Sequence, residues 1–165
     1  QWHVLYLETG VVHYEEYGQG KPLILLNGIM MSCASWAAFV EPFSESNRLI
    51  LLDFLDQGRS DRMEGSYEQS IQAEVVKSLL DHLEIKKACI MGISYGGEVA
   101  QQFAVKYGEY VDRLVLFNYY GPHRTWLGDI GDGWNLAGGG SGCILSHNDS
   151  HHLFPYFLPP GKPNG

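Results

Sequence analysis

Positive charge is scarce in this chain. Eleven Lys and Arg stand against 19 Asp and Glu, a formal net charge of −8, and no run of basic residues occurs. That balance argues against a nucleic-acid footprint or a patch for an anionic membrane surface, so neither partner is expected. Long apolar runs are missing too. No stretch approaches the roughly 20 residues of a membrane span. Cysteine is sparse: Cys33, Cys89 and Cys143 are too widely spaced for a disulfide frame. They read as reduced thiols, and a cytoplasmic location is the expectation. No signal peptide is visible, although the chain begins with Gln1 rather than Met. Nucleotide-binding glycine loops are also lacking. Gly18-x-Gly20 precedes a strand rather than a helix, and Gly20-Lys21 is followed by Pro22, so neither cradles phosphate. No cofactor is expected.

What is present is a globular composition: 165 residues, 45% of them hydrophobic, enough for one domain with a real core. Val4 to Leu7 and Val11 to Tyr17 read as a hairpin around Glu8-Thr9-Gly10. Pro22 to Leu26 and Arg48 to Phe54 are short apolar runs of the kind buried on both faces of a parallel sheet. Between them, Ser35 is placed to cap a helix that carries Trp36, Phe39, Val40 and Phe43. Ser66-x-x-Gln69 has the capping-box pattern. It predicts the start of a helix with Ile71, Val75, Leu79 and Leu83 on one face. Lys87 to Met91, Glu98 to Tyr107 and Val111 to Phe117 then read as strand, helix and strand. The alternation predicts an α/β fold, a mainly parallel sheet with helices on both faces.

The chain is organised around Gly92-Ile93-Ser94-Tyr95-Gly96-Gly97. A strand leads in and a helix leads out, the setting in which G-x-S-x-G is a nucleophile elbow. Reversal within a few residues strains the Ser backbone and leaves no room for side chains two positions away. Gly92 and Gly96 meet that need. Taken alone, the five residues also fit an ordinary strand-to-helix turn. Ser94 in this setting is a candidate nucleophile at a helix N-terminus, where N–H groups and the helix dipole favour developing negative charge. Two N–H donors are needed for an oxyanion: Tyr95, and a residue of the loop Asn27-Gly28-Ile29-Met30, with Ile29 favoured. Gly28 permits close approach, although Asn-Gly is also a common turn dipeptide.

A Ser nucleophile also needs a base. His13, His82 and His123 read as surface or half-buried residues. His147, Asp149, His151 and His152 cluster near the end, but their short spacing neither orients a His against an acid nor supplies a rigid element for a metal. No metal site is assigned.

These positions together resemble the α/β-hydrolase superfamily, nearest to its small esterases, C–C hydrolases and cofactor-free haloperoxidases. The resemblance rests on Tyr14-x-x-Tyr17-Gly18-x-Gly20-x-Pro22, Leu25-Leu26-Asn27-Gly28, Trp36, Asp53-x-x-Asp56-x-Gly58-x-Ser60 and Gly92-x-Ser94-x-Gly96-Gly97. It implies a Ser nucleophile at Ser94, oxyanion donors at Ile29 and Tyr95, and structural roles for Asp56 and Gly58. The substrate would be a small ester-like molecule, an amide or an activated C–C bond, opened through an acyl-enzyme. The family usually has His where this chain has Asn27. Its acid and His follow later in the chain, and after Asn118 no counterpart is recognisable. The expectation is therefore a partial hydrolase core over 1–137 with the start of a lid region, and a disordered or foreign tail over 138–165 joined through the linker-like Ala137 to Gly142. Such a chain would be inactive as written, or an inert or binding-only fragment left by truncation, a frameshift or a fusion. It would be open to self-association through an uncovered sheet edge.

Overall fold

Eight strands form one sheet in the computed structural model, which describes residues 1–117 in full and the backbone of 134–137 and 142–147. In chain order these are β1 (Trp2–Leu7), β2 (Gly10–Tyr17), β3 (Lys21–Leu26), β4 (Asn47–Leu52), β5 (Ala88–Ile93), β6 (Val111–Phe117), β7 (Trp134–Ala137) and β8 (Gly142–His147). The helices are α1 (Ala37–Ser44), α2 (Ser70–His82) and α3 (Tyr95–Lys106). The spatial order is β1-β2-β4-β3-β5-β6-β8-β7. The central four strands, β4, β3, β5 and β6, run parallel, and an antiparallel pair flanks them on each side.

The parallel centre follows from the apolar runs. Leu23, Ile24, Leu25 and Leu26 of β3 and Leu49 to Leu52 of β4 are all fully buried, which requires cover on both faces. On one face, Ile24, Leu26, Ile50, Leu52 and Ile90 pack against Val75, Val76 and Leu79 of α2 and Val99, Ala100 and Phe103 of α3. On the other, Leu23, Leu25, Leu49, Leu51 and Met91 meet Trp36 and the half-buried Val40 and Phe43 of α1. Each Leu in this double layer contributes roughly 2 kcal/mol through burial. Among the described residues no helix is long and apolar enough to cross a membrane.

Two local expectations are corrected. The capping box at Ser66 does not form. α2 begins at Ser70, and Gln69 uses its amide to bridge α2 to α3, donating to Glu98 at 2.9 Å and accepting from Gln102 at 2.7 Å. Ser35 does not cap α1 either. It sits inside a 3-10 turn over Cys33–Trp36 and accepts the N–H of Ser32 at 3.1 Å. β8 lies within 138–165, the stretch expected to be a disordered or foreign tail. Its backbone pairs antiparallel with β6 from Arg113↔Ser146 to Phe117↔Gly142, so the outer edge of β6 is covered. The apolar run Cys143-Ile144-Leu145 is short, and its Gly- and His-rich surroundings hid it. The expected lid start over 119–133 and the rest of the expected tail, 138–141 and 148–165, lie outside the described residues.

Candidate active site

The β5–α3 turn has the geometry that its sequence demands. Ser94 adopts φ 52° and ψ −116°, a combination costly for a residue with a side chain and held only by surrounding structure. Several contacts hold it. The Ser94 N–H donates to the Phe117 carbonyl at 3.0 Å, and the Ser94 carbonyl accepts the N–H of Glu98 at 3.1 Å, the first bond of the α3 ladder. The N–H groups of Tyr95, Gly96 and Gly97 therefore lie ahead of that ladder, at the positive end of the helix. A Cβ on Gly92 would stand 2.3 Å from the Gly96 carbonyl oxygen and 2.7 Å from the Gly97 nitrogen. A Cβ on Gly96 would stand 2.1 Å from the Leu26 oxygen. The first turn of α3 thus rests directly on the end of β3, where Leu26 pairs with Gly92. Ser94 is exposed to solvent.

The loop after β3 is built from side-chain clamps. Asn27 is fully buried and its amide is used on three sides: Nδ2 donates to the Leu52 carbonyl at 2.8 Å and to Gln57 Oε1 at 3.2 Å, while Oδ1 accepts the Trp36 indole N–H at 2.7 Å. That gives a physical reason for Asn where the family usually has His: this side chain ties β3, β4 and the 3-10 turn together. Gln57 adds a bond to the Gly28 carbonyl at 3.0 Å. Gly28 itself is crowded, since a Cβ there would lie 3.0 Å from Met31 Sδ and 3.4 Å from the Ile93 oxygen. Its N–H donates to the Met31 thioether at 3.2 Å. Ile29 and Met30 project outward, and Met30 takes a left-handed backbone with φ 59°.

Ile29 and Tyr95, the two expected donors, line the same open cavity of about 580 Å³, with Met30, Met31, Asp56 and Tyr67 among its walls. Ser94 directly precedes Tyr95 in the chain. The Tyr95 ring is half-buried edge-on against Phe54, 5.9 Å between centroids, and burial raises its pKa. Asp56 accepts the Tyr67 hydroxyl and the Met63 N–H, which in that order hold its carboxyl below the usual range. Burial, then the Asp56 carboxylate, pushes Tyr67 up to about 12. Asp56 is therefore occupied in shaping the cavity wall. Behind it, Gly58 has φ 50°, and its missing Cβ leaves the space taken by the Asp53 carboxylate, 2.2 Å from where that atom would be.

Two buried polar residues received no role from the sequence: Asp53, although it belongs to the resemblance motif, and Gln72. Asp53 is 1% exposed and accepts the N–H groups of Cys33 at 2.7 Å and Arg59 at 3.0 Å. Gln72, inside α2, exchanges two bonds with the Leu55 backbone at 3.1 and 3.2 Å. A lone amide within an otherwise apolar helix face was the available signal for Gln72.

The described histidines are not gathered at the elbow. His13 is buried rather than half-exposed, and bonds Glu15 at 3.0 Å from β2. Three strand steps separate β2 from β5, about 14 Å of sheet. His3 stacks on Tyr14 and His82 meets the same ring edge-on, both on the β1–β2 side. His123, His151, His152 and Asp149 lie outside the described residues, as does the side chain of His147.

Fold and turn together define an α/β-hydrolase scaffold. A family model for the alpha/beta hydrolase fold matches residues 21–130, and the chain belongs to that family. Among curated relatives, a 2-hydroxy-6-oxononadienedioate/2-hydroxy-6-oxononatrienedioate hydrolase of Paraburkholderia phymatum is 39% identical over 123 residues, covering 69% of this chain and 43% of the relative. The Escherichia coli protein of the same name is 36% identical over 111 residues, covering 64% and 38%. An alpha/beta hydrolase enzyme from a Medee basin deep-sea metagenome library superposes with a TM-score of 0.71 at 44% identity, over 79% of this chain and 49% of that structure. A meta-cleavage product hydrolase from Pseudomonas fluorescens gives 0.67 at 30% identity, over 71% and 44%. The chain spans less than half the length of these curated relatives.

Proposed function

We propose that this chain carries the nucleophile half of a serine hydrolase, with Ser94 as the attacking residue. The observation that carries the reading is the strained Ser94 backbone, φ 52° and ψ −116°, held between two glycines whose Cβ positions are filled by backbone. Such strain persists where it exposes a reacting group. In the proposed reaction Ser94 Oγ attacks a carbonyl carbon and its proton passes to a base. The oxyanion is met by the N–H groups of Ile29 and Tyr95, with Gly28, Gly92, Gly96 and Gly97 keeping the approach open. Collapse of the intermediate expels the leaving group with a proton and leaves an acyl-enzyme, which water hydrolyses. Of ester, amide and C–C bonds, the names of the two curated relatives and of the Pseudomonas neighbour favour the C–C bond of a small 2-hydroxy-6-oxo acid.

A second reading, a chain inert by itself or acting only by binding, is favoured by the positions of His3, His13 and His82 away from the elbow. Removing the nucleophile or base of a triad enzyme costs about six powers of ten in turnover, and an oxyanion hole with binding alone leaves roughly 10³–10⁴ over water. Turnover of an activated phenyl ester and of a 2-hydroxy-6-oxo dienoate, for the parent and Ser94→Ala, separates the readings. Ester turnover in the parent that drops to background in Ser94→Ala supports the nucleophile. Equal rates in the two proteins support the inert reading. Dienoate turnover without ester turnover assigns the C–C branch.

A further inference from the structure

A second cluster of reactive side chains lies on the α1 face of the sheet, outside the elbow and its cavity. Alternation along β2 puts His13, Glu15 and Tyr17 on the same side of the strand, with Val12 and Tyr14 on the other. Cys33, at the start of the 3-10 turn, comes down onto that side. One ligand atom from each of His13, Glu15 and Cys33 lies within 4.8 Å of the other two. His13 Nε2 and Glu15 Oε1 are 3.0 Å apart. His13 and Cys33 are 2% and 3% exposed.

We infer that His13, Glu15 and Cys33 form a three-ligand site for a thiophilic divalent cation, Zn²⁺ foremost, that clamps β2 to the far end of the Asn27–Ser32 loop. Imidazole, carboxylate and thiolate are the donor types zinc takes, and three protein ligands plus water complete a tetrahedron. Zinc bonds of about 2.0–2.3 Å put tetrahedral ligand atoms roughly 3.3–3.6 Å apart. The His–Glu pair is already near that spacing, and Cys33 has to close by about 1.5 Å at most. The surroundings support the ligands in the manner of a metal site. The Tyr17 hydroxyl donates to the other Glu15 oxygen at 2.6 Å, fixing the carboxylate. The Asp53 carboxylate accepts the Cys33 N–H at 2.7 Å, fixing the turn that presents the sulfur. Burial, then the Asp53 and Glu15 carboxylates, pushes the Cys33 thiol up. A cation between Glu15 and Cys33 offsets that penalty, and on binding the thiol releases its proton to solvent.

The test uses the untagged full chain with His147, His151 and His152 replaced by Asn, so that the terminal histidines contribute nothing. Co²⁺ is titrated into it as a spectroscopic stand-in for Zn²⁺, and Zn²⁺ binding is measured by calorimetry. The site predicts one cation per chain, a thiolate-to-Co²⁺ charge-transfer band in the near ultraviolet, and a rise in melting temperature with Zn²⁺. Cys33→Ser abolishes the band, whereas Cys89→Ser leaves it. Tyr17→Phe, which keeps every ligand, weakens Zn²⁺ binding roughly tenfold. A folded protein that shows no thiolate band at saturating Co²⁺ overturns the inference, as does a band that survives in a folded Cys33→Ser. Should Cys33→Ser not fold, the band in the parent and the Tyr17→Phe affinity decide the matter without it.

Discussion

Gly96→Ala puts one methyl group where the elbow meets the sheet. Its Cβ would lie 2.1 Å from the Leu26 oxygen, 2.5 Å from the Leu26 carbonyl carbon and 2.6 Å from the Asn27 oxygen. Non-bonded heavy atoms settle near 3.5 Å, so a gap of about 1.4 Å has to open at the Leu26 oxygen. Leu26 cannot yield, because β3 is bonded to β4 on one side and β5 on the other. The first turn of α3 must withdraw instead. Alanine is about 1 kcal/mol better than glycine inside a helix, whereas overpacking against fixed neighbours costs about 1–3 kcal/mol and more where backbone moves. The net is a loss of about 2 kcal/mol. For a chain of this size that is about 4–8 °C in melting temperature. Gly108→Ala is the control, since nothing lies within 4 Å of its Cβ position, and it should stay within about 0.5 kcal/mol. Thermal melts followed by circular dichroism read both. If Gly96→Ala melts at or above the Gly108→Ala temperature, the close seating of α3 on β3 is wrong.

Trp36→Phe removes the indole N–H that Asn27 Oδ1 accepts at 2.7 Å in a buried setting. It should lower stability by about 2 kcal/mol, read as a lower urea midpoint with an unchanged slope. The Lys106 ammonium, then the Tyr107 hydroxyl, hold the Glu74 carboxyl below its ordinary 4.5. A depressed folded value means that this link between α2 and α3 contributes fully above the unfolded pKa and is lost as pH falls through the folded one. Glu74→Gln should therefore flatten the fall in melting temperature below about pH 4.5, by a small, salt-sensitive amount because the pair is exposed. A pH profile identical to the parent's would contradict it.

The central sheet was legible because burial on both faces leaves uninterrupted apolar runs: Leu23 to Leu26 and Leu49 to Leu52 have no other reading. The elbow was legible because its two glycines answer a steric demand, and the backbone atoms that crowd a Cβ at Gly92 and Gly96 express that demand. Helix starts were less so. Ser66 and Ser35 have the right chemistry for caps, but Gln69 and Trp36 stand at the starts of α2 and α1, neither with a side-chain cap bond, because Gln69 is drawn to α3 and the 3-10 turn takes up Ser35. The polar clamps of the loop, Asn27, Asp53 and Gln57, were invisible as partners because most of their bonds cross 20 to 30 residues of chain. His13 was misjudged for a related reason. Period two places it on a face, but neighbours that arrive from other segments, Trp2 and Cys33 among them, lie against it there.

The central claim is that Ser94 is an activated nucleophile on a preformed elbow. A fluorophosphonate probe followed by peptide mapping tests it directly. The account predicts one phosphonylated residue, Ser94, in folded protein, with labelling lost in Ser94→Ala and reduced in Gly96→Ala. Folded protein that stays unlabelled at Ser94, or carries the label on another residue, would contradict it.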